Sequence, residues 1–173
     1  MPGMTTTHHS TATVALPLGT WQIDPVHSTV GFEVRDMAHL FATVRGRFTD
    51  YDGVLTVTPD GARASATIRV ASLTTDHDGR DEGLRSSQYL DAAGSPEMRF
   101  ETERFDVGAD GAVRVAGRLD LKGTASDVEL DGRVLGTGTD HTGTERLAIA
   151  VEGALPFGPM QVRLVVDVSA VRG

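Results

Sequence analysis

The chain has 173 residues, a formal net charge of −8 and no cysteine. The length suits one domain with a sizeable core, and the charge makes nucleic acid and anionic membrane surfaces poor partners. Without thiols, disulfides, thiolate metal sites and cysteine nucleophiles are excluded. Residues 1–18 are rich in Thr, Ser, His and Ala and read as a flexible tail ahead of a single domain over 19–173. They show neither a basic start nor an apolar run of the signal-peptide kind. No later segment approaches the roughly 18 to 20 apolar residues that span a bilayer, so no integral membrane association and a cytoplasmic location are expected. His8 and His9 read as an inert pair in a mobile terminus rather than a metal site.

Short alternating runs separated by turn residues follow, the mark of an all-β chain. Trp21–Ile23 precedes an Asp24-Pro25 break. Val30, Phe32 and Val34 share one face of the run over 28–35, and Val44, Gly46 and Phe48 share one face of the run over 43–48. Asp52-Gly53 is a turn signal, followed by a strand over 54–58. The run over 62–71 puts Ala64, Ala66, Ile68 and Val70 on one face. Residues 75–94 carry no strand pattern, and 81–90 suit a short helix or turn. Strands resume with Met98 and Phe100 on one face, then with Val113, Val115, Gly117, Leu119 and Leu121. A strand over 128–135 leads into a Gly- and Thr-rich turn over 136–143. Leu147, Ile149 and Val151, then Val162, Leu164, Val166 and Val168, mark two final strands.

Eight to ten strands with one apolar face must close or fold over. Long consecutive strands favour a closed antiparallel barrel over a sandwich. About eight strands give an interior that side chains fill or that holds one small ligand. Small inward positions (Gly46, Ala64, Ala66, Gly117) and only six Phe, two Tyr and one Trp favour a cavity over a packed centre.

Five motifs then come in order. Residues 21–32, WQIDPVHSTVGF, resemble the opening W-x-I-D-x-x-H-S-x-V-x-F of YceI-like proteins. Val44–Phe48 resembles V-x-G-x-F, and residues 80–91, RDEGLRSSQYLD, resemble R-D-x-H-L-R-S-x-D-F-F-D. Pro96–Phe100 resembles P-x-I-x-F, and Val115–Gly123 resembles V-x-G-x-L-x-I-x-G. The resemblance spans about residues 19 to 171. It implies a lipocalin-like barrel with helical elements near 36–41 and 80–88, and a bound polyisoprenoid or isoprenoid quinone rather than a resident cofactor. Departures are Asp36 and Gly83 where the family often has His, Leu90 in the aromatic pair, and a degraded late motif over 154–158. These changes leave room for a different lipophilic ligand.

The expected ligand-binding side chains are Phe32, Val34, Phe41, Val44, Phe48, Leu84, Tyr89, Phe100, Leu119, Leu121, Leu147 and Ile149, each of which is equally at home in an ordinary core. His27 and Arg85 are the candidate polar anchors. A strand-start His bonded to backbone is the plainer reading of His27. Arg80, Asp81 and Arg85 suit a network that pins the central segment to the barrel better than a head-group site. The acidic run over 76–82 lacks the spacing of a calcium loop. His27, His39, His77 and His141 follow no metal-binding pattern, so no metal site and no catalytic residue are assigned. The leading expectation is a carrier or storage protein for a long lipophilic molecule, with a homodimer permitted. An enzyme on the same scaffold, cyclising or isomerising such a molecule, and a structural protein with a packed interior are the alternatives.

Overall fold

The computed structural model describes residues 15–35 and 41–173. Its strands are β1 (Gly19–Ile23), β2 (Thr29–Arg35), β3 (Thr43–Phe48), β4 (Tyr51–Thr58), β5 (Gly61–Arg69), β6 (Leu73–Thr74), β7 (Glu97–Val107), β8 (Ala112–Leu121), β9 (Thr124–Thr139), β10 (Glu145–Phe157) and β11 (Met160–Arg172). One α-helix, α1 (Asp78–Arg85), lies among the described residues. The second helical element expected near 36–41 falls mostly outside them.

Eight strands close an antiparallel ring in the order β1-β4-β5-β7-β8-β9-β10-β11, completed by β1 against β11. The last strand is long enough to serve two partners. Its Ala170–Arg172 end pairs with β1, and its Val162–Asp167 stretch pairs with β2, to which β3 and then β6 are added. Alternation explains the closure: on β8, Val113, Val115, Leu119 and Leu121 are buried while Arg114, Arg118 and Asp120 face water. A bulge in β7 turns both Glu103 and Arg104 outward, so that Phe105 still points inward.

Two predicted turns are strand. The ladder of β9 continues through Gly136–Thr139, past a bulge at Leu135, and the turn is confined to the residues after it. Asp140 builds that turn by accepting from the backbone N–H groups of Thr142 and Thr144. Likewise Asp52-Gly53 lies inside β4, and the chain reverses at Thr49-Asp50. The Ile23 side chain packs over Gly53, where a Cβ would come within 2.5 Å of its tip.

One end of the barrel is plugged. Leu16, Trp21, Val57, Val113, Leu147 and Ala170 are all buried in one cluster. The Trp21 indole N–H donates to the Pro17 carbonyl at 3.1 Å, and the Arg172 guanidinium stacks 4.5 Å above the indole ring. Leu16, inside the segment expected to be tail, is thus part of this packing. The other end is covered by α1, whose Leu84 packs on Phe32, Val34 and Leu73. His77 caps the helix by accepting from the Arg80 N–H, Asp78 and Asp81 sit in its first turn, and Arg85 sits in its last. No described helix is long and apolar enough to cross a membrane.

Candidate functional site

Between plug and helix lies a cavity of about 240 Å³. Its wall is hydrocarbon and aromatic ring. Among the described residues no Asp, Glu, Lys, Arg or His lines it, and the polar side chains on it are Tyr51, Tyr89, Ser65 and Thr102. Thr102 accepts from the Ala64 N–H at 2.9 Å, which satisfies a backbone donor beside the β7 bulge. Such a space removes apolar surface from water without charge pairing.

Of the expected ligand-binding side chains, Phe32, Val34, Phe48, Leu84, Tyr89, Phe100, Leu119, Leu121 and Ile149 line the cavity. Leu147 is 1% exposed and stands in the plug, one layer below the cavity floor. Val44 is buried opposite Val34 but lies off the lining. Phe41 lies beyond the end of β2, 90% exposed and away from the cavity.

The small inward residues divide into two kinds. A Cβ at Gly46 would lie 2.3 Å from the Phe32 ring, and one at Gly117 2.7 Å from the Phe100 ring. Both glycines are therefore covered by an aromatic from the neighbouring strand, and the volume expected there is filled. Ala64 and Ala66 do border open space. Lining residues that the sequence pattern did not single out include Ile23, Tyr51, Leu73, Leu90 and Met160. For Tyr51 the signal was present: it continues the Gly53, Leu55, Val57 alternation once Asp52-Gly53 is read as strand.

The polar candidates stand outside the cavity. His27 is exposed, and its Nδ1 lies 2.7 Å from Asp24 Oδ2. Asp24 also accepts from Arg146 at 2.8 Å, and Arg146 donates to Asp140 at 2.6 Å. The Arg146 guanidinium, and then His27, hold the Asp24 carboxyl down at about 2. The same guanidinium, with Thr142, holds Asp140 well below the usual carboxylate range. This network ties the β1–β2 break to the β9–β10 turn.

Arg80, Asp81 and Arg85 pin α1. Asp81, 3% exposed, accepts from the Thr75 N–H at 2.7 Å and from the Thr75 hydroxyl. Burial pushes its pKa up, but the Thr75 bonds and the Arg85 charge outweigh that and hold it below the ordinary value. Arg80 donates to Thr75 Oγ1 and Thr75 O at 2.8 and 2.9 Å, and Arg85 donates to Leu73 O. Lys122 adds a bond at 2.9 Å to Ser87 O, just after the helix. No group of three or more His, Asp or Glu able to hold a metal exists among the described residues. His77, the helix cap, sits inside the acidic run over 76–82.

Comparison with known proteins agrees with this geometry. Residues 21–167 match the model of the YceI-like domain. The chain is 28% identical over 160 residues to the protein YceI of Salmonella newport, covering 84% of this chain and 82% of that one. The crystal structure of the Campylobacter jejuni YceI protein superposes with a TM-score of 0.70 at 22% identity, over 76% of this chain and 86% of that chain. A polyisoprenoid binding domain from Saccharophagus degradans, implicated in plant cell wall breakdown, superposes with a TM-score of 0.65 at 16% identity, over 91% and 100% of the two chains.

Proposed function

The chain belongs to the YceI-like family, and from that premise we propose that it holds a polyisoprenoid, isoprenoid quinone or similar long lipophilic molecule in the barrel, as a carrier or store. The observation that carries this reading is the cavity of about 240 Å³ whose described lining holds no charged side chain. Hydrocarbon taken from water is stabilised by about 25 cal/mol per Å², and no specific polar contact is required for that gain. The polyisoprenoid binding domain of similar fold lends support. Acid–base catalysis by a carboxylate or imidazole would need that group to face the substrate. His27 is exposed and paired with Asp24, and Asp81 is committed to Thr75, so neither points at the space.

The test is native mass spectrometry of the purified chain, followed by extraction and refilling with geranylgeraniol or a long-chain isoprenoid quinone. One bound lipophile per barrel is expected. Absence of any co-purifying lipid, together with no uptake of either probe, overturns the proposal.

A further inference from the structure

The barrel wall has a seam. Strand β1 ends at Ile23 and β2 starts at Thr29, while on the facing side β3 ends at Phe48 and β4 starts at Tyr51. The last β1–β4 pair is Gln22 with Val54, and the first β2–β3 pair is Val30 with Phe48, so neither ladder runs across the interval between them. That interval holds a second cavity, of about 150 Å³. Pro25, Ser28 and Thr29 form one side and Arg47 and Thr49 the other. Phe48 and Tyr51 line both this cavity and the apolar one, so the two spaces meet at those rings.

The chemistry of the small cavity is that of unused donors. Tyr51 is 5% exposed, and its hydroxyl makes no hydrogen bond among the described residues. Burial, and then the nearby Asp24 charge, push its phenol above the ordinary value, so it stays protonated and able to donate. Arg47 is half exposed, and among the described residues its side chain has one long polar contact, 3.4 Å to the exposed Asp76, which does not line the cavity. Of the three other hydroxyls on the described lining, two are committed. Ser28 donates to Ser169 O and accepts from the Ser169 N–H, and Thr49 donates to Ser72 O. Among the described residues no carboxylate lines the space, and Asp24, beside Pro25, is already held by Arg146 and His27. One guanidinium and one phenol hydroxyl around a pocket without acceptor charge suit an anion that only accepts hydrogen bonds.

We infer that the seam is a head-group site, where Arg47 and Tyr51 bind the phosphate or carboxylate of an amphiphile whose hydrocarbon runs past Phe48 into the barrel. This inference rests on the reading of the barrel as a lipid cavity. A purely apolar molecule would leave the seam empty, so the expected ligand class narrows to long-chain lipids with an anionic end.

The test compares geranylgeraniol with geranylgeranyl monophosphate by titration calorimetry, using the full chain freed of lipid, at fixed ionic strength. The phosphate should bind about tenfold or more tightly than the alcohol, the scale of one charged hydrogen bond. Arg47→Gln should weaken the phosphate several-fold and leave the alcohol within about twofold, whereas Tyr51→Phe, at a residue that also borders the barrel cavity, should weaken the phosphate several-fold more than it weakens the alcohol. The alcohol also reports that each variant keeps its barrel. Inorganic phosphate alone should neither bind measurably nor displace the lipid. Equal affinity for alcohol and phosphate, or equal weakening of both by Arg47→Gln, overturns the head-group site while leaving the barrel cavity standing. Inorganic phosphate binding as tightly as the lipid overturns it too. If neither lipid binds, both readings fail.

Discussion

Replacing Ala66 with Leu gives a change whose sign depends on what lies inside the barrel. Ala66 pairs with Gly53 on one side and Phe100 on the other, and it borders the cavity. The substitution adds three carbons to a wall that faces about 240 Å³ of space. At about 0.8 kcal/mol per buried CH₂, the gain is about 2.4 kcal/mol. Ordering the new side chain costs about 0.5–1 kcal/mol. The lipid-free protein should therefore become about 1.5 kcal/mol more stable, a rise in Tm of about 3–6 °C for a domain of this size. The same methyl groups occupy ligand space, so uptake of a lipophilic probe should fall. The assay pairs thermal unfolding of delipidated protein with titration of geranylgeraniol into both forms. A solid interior gives the opposite sign, about 1–3 kcal/mol of destabilisation from overpacking. Lower stability with unchanged lipid uptake refutes the reasoning.

Three further outcomes follow from particular contacts. Gly46→Ala should cost about 1–3 kcal/mol because its Cβ meets the Phe32 ring, and it should cost close to nothing in a Phe32→Ala background; urea unfolding of the four proteins measures the cycle. Asp81→Ala strands the buried Thr75 N–H, so about 1–3 kcal/mol should be lost and the amides of α1 should exchange faster with deuterium. Asp24 has its carboxyl lowered from 3.8 to about 2, so the stability it adds is full above pH 3.8 and is lost as pH falls through about 2; Asp24→Asn should flatten that limb of the acid-unfolding curve.

Alternation in the sequence tells which way a side chain points but not how high it stands in the barrel. Val113, Leu119 and Leu147 all read as inward, and all are inward. Only pairing across strands sets height. Leu147 faces Ala170, and both are buried with Trp21 in the plug, whereas Ile149 faces Val168 two residues further along and lines the cavity. The plug owes part of its packing to Leu16, which carries no strand signal. Glycine misleads in two ways when only the sequence is in view. Gly46 and Gly117 looked like missing volume, but the Phe rings that fill them come from neighbouring strands, a relation invisible without register. Gly53 and Gly136 looked like turn residues, yet one makes room for Ile23 and the other follows a bulge. The ion pairs of the central segment were easier, because Arg80, Asp81 and Arg85 lie close in sequence to the Thr75 and Leu73 groups they hold.

The blocked floor makes the barrel a ruler. From Ile149, just above the plug, to Phe157 at the rim, β10 takes eight residue steps. At about 3.4 Å per step and a tilt of about 40°, the tube is roughly 20 Å deep. A straight chain that touches bottom and exceeds that depth must leave its remainder outside. Under the proposed lipid-binding role, short occupants would sink wholly from view and long ones would keep a tail outside.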